Sequence, residues 1–154
     1  MLRRVDATPG NAVVGVLPLL IAAIWVGTSA LSAQLSGWSR LAEVYSSSMP
    51  FTGQSWRLQS VQMRWSMHYN TCVTVGASPQ GLALSMFIFM RPGHGPLFIP
   101  WPEVSATRTR VFLRTLVELR FQRAPGIPLR ISPRLSARLA AASGGVFRAP
   151  TPAA

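Results

Sequence analysis

The chain has 154 residues, 49% of them hydrophobic and only 12% charged, with 15 basic against 4 acidic side chains and a formal net charge of +11. A soluble domain carries about 25% charged residues, so an ordinary all-soluble composition is excluded, as is an acidic or disulfide-stapled scaffold, because there is one cysteine, Cys72. Every basic residue is arginine, and 13 of the 15 follow residue 34, which makes the C-terminal body strongly cationic and drawn to anionic partners.

No charged residue occurs between Asp6 and Arg40, and AVVGVLPLLIAAIWVGTSALSA fills residues 12–33. At about 1.5 Å per residue that run reaches roughly 33 Å, enough for a hydrocarbon core of about 30 Å. The expected element is a transmembrane helix over residues 12–34, after an N-terminal tail of residues 1–11. Pro18 stands near its start, where a spanning helix tolerates a kink. Two other readings compete. A secretory signal would use Arg3 and Arg4 as its charged region and Ala30 or Ala33 as cleavage sites, although the apolar run exceeds the usual length of about 7–15 residues. A buried core helix is the third. Arginine flanks the run on both sides, so the positive-inside tally is nearly even; a cytoplasmic C-terminal domain is the preferred orientation. Ala23 and Gly27 would present a small-residue face to another helix.

GWSRLAEVYSSS follows. Trp38 and Tyr45 are residue types that favour a membrane interface, and Leu41, Ala42 and Tyr45 share a helical face. Residues 35–50 are therefore expected to continue the helix to about residue 46 and end as a linker at Pro50.

From residue 51 the period changes to two. Trp56, Leu58 and Ser60 share one parity, while Val61, Met63 and Trp65 share the other, a switch that a β-bulge produces and that two short strands would also explain. Residues 72–89 form the clearest hairpin, with Ser78-Pro79-Gln80-Gly81 as its turn. RPGHGP is the next turn, with LFIPW a short strand after it. Trp101 is expected in the core, Pro100 at an edge, and Glu103 to cap a backbone group or pair with an arginine. The later part of residues 110–121 and residues 127–131 read as strands. Ser132-Pro133 then caps a helix that carries Leu135, Leu139 and Ala142 on one face and stops at Gly144-Gly145. Residues 144–154 read as a flexible tail.

RPGHGP is poor material for a phosphate loop. A strand follows it rather than a helix, and Pro92 and Pro96 remove two backbone donors. His94 lacks a nucleophile or orienting acid at a recognisable spacing, and is expected to be an exposed turn residue. Neither His68, His94 and Cys72 nor the acids Glu43, Glu103 and Glu118 form a metal-ligand or catalytic pattern, so neither cofactor nor enzymatic activity is expected. If loops from two hairpins meet at one rim, Arg91, Arg108, Arg110 and Arg114 could form a pocket for a phosphorylated headgroup, since guanidinium forks match phosphate. Nucleic acid is not expected, because the aromatics alternate as core positions do and no nucleic-acid signature appears.

YNTCVTVGASPQGLALSMFIFMRPGHGPLFIPWPEV, together with GWSRLAE, resembles small bacterial membrane-anchored proteins. The hairpin and the IPW-x-E-[IV] element around Leu97–Val104 resemble bacterial pleckstrin-homology-like (GRAM-like) domains. The resemblance covers roughly residues 50–142. It implies a bent antiparallel β-barrel of about seven strands, capped by a C-terminal helix, over residues 51–143. It implies a non-catalytic binding or scaffolding role at the inner membrane, toward anionic phospholipids or a membrane protein partner. A structural subunit of a membrane complex is the alternative.

Overall fold

The structure, a computed structural model, describes residues 9–150; the expected N-terminal tail up to Thr8, including Arg3 and Arg4, and residues 151–154 lie outside them. Helix α1 runs Pro9–Ser36 and contains Pro18. Its Val14–Ser36 portion contains an 18-residue stretch with a mean hydropathy of 2.1 and is long and apolar enough to cross a membrane, as a signal sequence would also be. The helix does not continue to residue 46 as expected. Gly37 takes a left-handed conformation, φ +89°, and a Cβ there would meet the Ile127 side chain at 2.9 Å. Only glycine turns the chain at this spot without a clash. The short helix α2, Trp38–Tyr45, therefore leaves in a new direction and lies against the domain. Its Trp38, Leu41 and Tyr45 are all buried. Trp38 and Tyr45 are thus core residues rather than interfacial anchors.

Seven antiparallel strands follow: β1 Gln54–Gln62, β2 His68–Ala77, β3 Gly81–Met86, β4 Leu97–Pro100, β5 Val104–Val111, β6 Arg114–Phe121 and β7 Ala124–Ile131. Their order is β4-β3-β2-β1-β7-β6-β5. Two meanders are joined at β1–β7, where the register is a single pair, Gln62↔Arg130. The parity switch in β1 is a real irregularity. The β1–β2 register shifts on both sides of Gln59, and Leu58 and Thr71 take positive φ there.

The sheet is open, which corrects the expected barrel: β4 and β5 are its edges and do not pair. The outer side of β4 is already occupied, by the Ser46↔Leu97 bridge and by Ser47 N donating to the Pro96 carbonyl at 3.1 Å. β4 itself ends at Pro100, and a 3₁₀ turn, Trp101–Glu103, carries the chain away. Pro100 does sit on an edge strand.

The core lies on one face of the sheet. Alternate residues supply it: Val73 and Val75, Leu82 and Leu84, Leu97 and Ile99, Leu119 and Phe121, Leu129 and Ile131. Each such side chain contributes about 1.5–3 kcal/mol by burial. Helix α3, Pro133–Ala142, closes the core with Leu135 and Leu139; the Ser132 Oγ caps it by accepting from Leu135 N at 3.2 Å. Gly144 and Gly145 end it with positive φ. The segment read as a loose tail carries a docked ring: Phe147 is buried and stacks on the buried Trp101 at 4.8 Å.

Candidate functional site

Three regions carry the groups that could act on a ligand or a membrane. The first is the junction between α1 and the domain. Every described α1 side chain from Val14 to Thr28 is exposed; Ser29 is the first that the domain covers, followed by Ala33 and Ser36. Across from them His94 is fully buried, which overturns its reading as an exposed turn residue. Its Nδ1 lies 3.2 Å from the Pro92 carbonyl, which can only accept, so this network assigns the proton to Nδ1. Nε2 then accepts from the Tyr69 hydroxyl at 2.9 Å. The Tyr69 oxygen is 2.8 Å from Ser36 Oγ. Trp38 stands edge-on to both Tyr69 and His94 and donates from Nε1 to the Gly95 carbonyl at 2.9 Å. Burial pushes the His94 imidazole below its ordinary value, against the bonds to Pro92 and Met90, and raises the Tyr69 hydroxyl.

Serine, histidine and tyrosine thus converge, but with side chains closed to solvent, and the imidazole is oriented by a carbonyl instead of an acid. The arrangement fastens α1 to the sheet. Among the described residues no group of three His, Cys, Asp or Glu side chains comes together.

The second region is a groove of about 1030 Å³ on the sheet face opposite the core, between the β1–β4 meander and residues 47–52. Phe51 lies on the sheet where Gly76 leaves room; a Cβ on Gly76 would stand 2.4 Å from its ring. Thr74, Ser85 and Phe98 line the floor, and Cys72 adds a half-buried thiol that burial holds above its ordinary pKa. Arg57, Phe87, Ile88 and Arg91 also line it. The volume matches that of a small-molecule site, about 300–1,000 Å³.

The third region is the β5–β6 hairpin. Arg108, Arg110 and Arg114 are here, with Arg110 paired to Thr115 and Val111 to Arg114 across the ladder. The tip, Phe112-Leu113, is almost wholly exposed, at 95% and 98%. Of the four arginines singled out in the sequence, Arg91 lines the groove and these three do not. Strand register explains the separation. Val117 pairs with Ile131 and Arg130 with Gln62, so β6 leads to its tip in the direction in which β1 begins. Helix α1 instead packs where β1 ends, near Tyr69.

Carboxylates hold other arginines. Glu118 receives Arg120 Nε at 2.8 Å and Arg130 Nε at 2.9 Å; burial works to raise its pKa, but the two guanidiniums outweigh it and the carboxyl lies below the usual range. Glu103 pairs with Arg123 at 2.7 Å, as its expected role allowed, and accepts from the Tyr45 hydroxyl at 2.7 Å. The Arg123 bond, then that of Tyr45, lowers its pKa.

Sequence reasoning missed Tyr69, Ser36 and Arg57. One signal was present for the junction: Ser29, Ala33 and Ser36 repeat at helical spacing in an otherwise bulky apolar helix, which marks a close-packed face. No family model, no curated protein and no solved structure matches this chain.

Proposed function

We propose that the protein is a single-span membrane protein whose β domain is held on the bilayer as a non-catalytic binding module, with an anionic phospholipid headgroup as its ligand. The observation that carries the reading is the division of α1. Residues 14–28 expose apolar side chains on every face, and the next two turns are built into the domain through Ser29, Ala33 and Ser36. A helix of that kind needs lipid around its first part. Cleavage after Ala30 or Ala33 would remove buried residues of the folded body, which favours a retained anchor over a signal peptide.

Arg57 and Arg91 both line the groove and offer guanidiniums for a phosphate. Kinship with pleckstrin-homology-like modules remains part of the proposal. It is supported by the element order, seven antiparallel strands in two meanders and then a helix, with the sheet left open. A cytoplasmic face of a bacterial inner membrane suits this chemistry because it is anionic.

The test uses the full chain in detergent, since residues 29–36 belong to the folded body. Short-chain phosphatidylglycerol is expected to raise the melting temperature above that in phosphatidylcholine of equal length, and Arg57→Gln/Arg91→Gln to abolish the difference. Equal melting in both lipids would remove the headgroup reading. A C-terminal fluorescent reporter that matures in the cytoplasm settles the side.

A second reading, a structural subunit of a membrane complex, is favoured by Phe112-Leu113, an apolar tip that no described residue covers. Co-extraction of a stoichiometric partner that is lost in Phe112→Ser/Leu113→Ser would favour it.

A further inference from the structure

We propose that the turn Phe87–Phe89 is a second membrane element, carried by the domain, which enters the leaflet beside α1 at the level of Trp25–Ser29 and sets the end of the span near residue 28. The proposal rests on the reading of α1 as a retained span.

After β3 ends at Met86 the chain makes a 3₁₀ turn, Ile88–Met90. Phe87, Ile88 and Phe89 are 48%, 64% and 68% exposed, and the two phenyl rings lie 5.7 Å apart. Isolated exposed apolar residues are ordinary on a protein surface. Three in succession are less so, and these touch the membrane helix. Trp25 Nε1 donates to the Phe89 carbonyl at 2.8 Å. Ser29 Oγ lies 2.9 Å from the Pro92 carbonyl and 3.3 Å from that of Met90. Within hydrocarbon, irregular backbone is tolerated only where its polar groups find partners inside the protein. Here Trp25 and Ser29 of an apolar helix reach carbonyls in the turn and just after it, while Thr28 bonds back to the Ile24 carbonyl of its own helix. The exposed apolar surface of the turn is continuous with that of α1, which includes the exposed Trp25 and Val26.

Length gives the depth. The apolar run begins at Ala12, and residues 12–28 number 17, the short end of the range of about 17–25 that spans a hydrocarbon core; Thr28 is the last residue before the domain begins to cover the helix. The turn therefore sits at the boundary between hydrocarbon and headgroups. Arg91 follows it directly and is exposed, where a guanidinium extends to phosphate while its stem stays in the apolar layer. The span ends about two helical turns earlier than the 12–34 expected from composition. With two points of entry, the domain is fixed in orientation as well as in distance, and the α1 end of the groove faces the headgroups.

Nitroxide labels test this in full-length protein, with Cys72→Ser as background, reconstituted in phosphatidylethanolamine–phosphatidylglycerol vesicles. Leu20→Cys, Ile88→Cys and Leu113→Cys are labelled one at a time, all at exposed positions. Accessibility is compared between oxygen, which concentrates in lipid, and a water-soluble nickel chelate. The labels at 20 and 88 are expected to favour oxygen, the first more strongly, and the label at 113 to favour nickel. Nickel preference at 88 with oxygen preference at 20 would overturn the proposal and leave the span intact. A label at 88 shielded from both reagents would also overturn it, since a protein surface would then cover the turn. Nickel preference at 20 would remove the span itself, and the proposal with it.

Discussion

Helix α1 is one continuous element with two different surroundings. From Val14 to Thr28 the domain covers no described side chain; from Ser29 to Ser36 it covers Ser29, Ala33 and Ser36. The bare part is built mainly of Val, Leu, Ile and Trp, with Gly and Ala between them, whereas the covered face is built of Ser and Ala. Bulk suits a lipid solvent, and small side chains let backbone approach. Gly93, with φ +78°, comes so near that a Cβ on it would lie 2.9 Å from Ala30 Cα and 3.1 Å from Ala33 Cβ. The lesson is that the hydropathy of a long apolar helix shows how far it can reach, while the size of its side chains shows where the domain begins to pack on it.

The sharpest way to break this contrast is a core truncation beside the covered end. Trp38→Ala empties a fully buried site and frees the Gly95 carbonyl, and is expected to cost about 3–5 kcal/mol. Leu20→Ala, in the bare part, should change the unfolding free energy by less than about 0.5 kcal/mol. Denaturant titration of the detergent-solubilised protein reads both, and equal losses would erase the distinction. Gly93→Val comes next. It forces a branched side chain into a left-handed backbone against Ala30, at a cost of about 2–4 kcal/mol from strain and overpacking together. Gly95→Ala, where a Cβ meets nothing within 4 Å, is its control.

The polar contacts of the junction are worth less. Tyr69→Phe removes the donor to His94 Nε2 and the partner of Ser36; stranding these buried groups is expected to cost about 1–3 kcal/mol. His94 makes the same junction sensitive to pH. Burial holds its folded-state pKa below the ordinary imidazole value of about 6.5, so the unfolded chain takes up a proton before the folded one does. The stability gained from a neutral imidazole is complete above that value and is lost as pH falls from it toward the folded pKa. Thermal melts from about pH 7 to 5 should show the decline, and His94→Gln should flatten it. A slope unchanged in that variant would place the titrating group elsewhere. Glu103 and Glu118, both lowered, act in the same direction but only in the carboxylate range.

The contrast also explains what was legible in the residues. Local chemistry was: the Ser78–Gly81 turn, the parity reversal in β1 and the Ser132 cap all depend on residues within a few positions. The open sheet was not legible, because closure fails on account of Ser46 and Ser47, about 50 residues before the edge strand they cover. His94 was misread for the same reason. A glycine-flanked histidine between prolines resembles a solvated turn until α1, some 60 residues earlier, is laid over it. Grouping Arg91 with Arg108, Arg110 and Arg114 assumed that two loops share a rim, and strand register alone separates them.

The smallest expected effect concerns the two exposed apolar turns, Phe87–Phe89 and Phe112-Leu113. The first accepts a hydrogen bond from α1; the second is 95% and 98% exposed, and Phe112 has φ +54°. A two-residue hairpin loop with positive φ at its first position is a place where glycine is favoured, and a bulky residue held there costs about 1–2 kcal/mol. Phe112→Gly relieves that strain but adds backbone freedom to the unfolded chain, worth about 0.5–1 kcal/mol. The expected result is a folding free energy unchanged or improved by up to about 1 kcal/mol. A clear destabilisation would mean that the tip packs on something within the molecule. If the expectation holds, the fold gains nothing from a phenyl ring at this position. Its use must then lie outside the chain, at the end of the sheet that register directs away from the α1 junction.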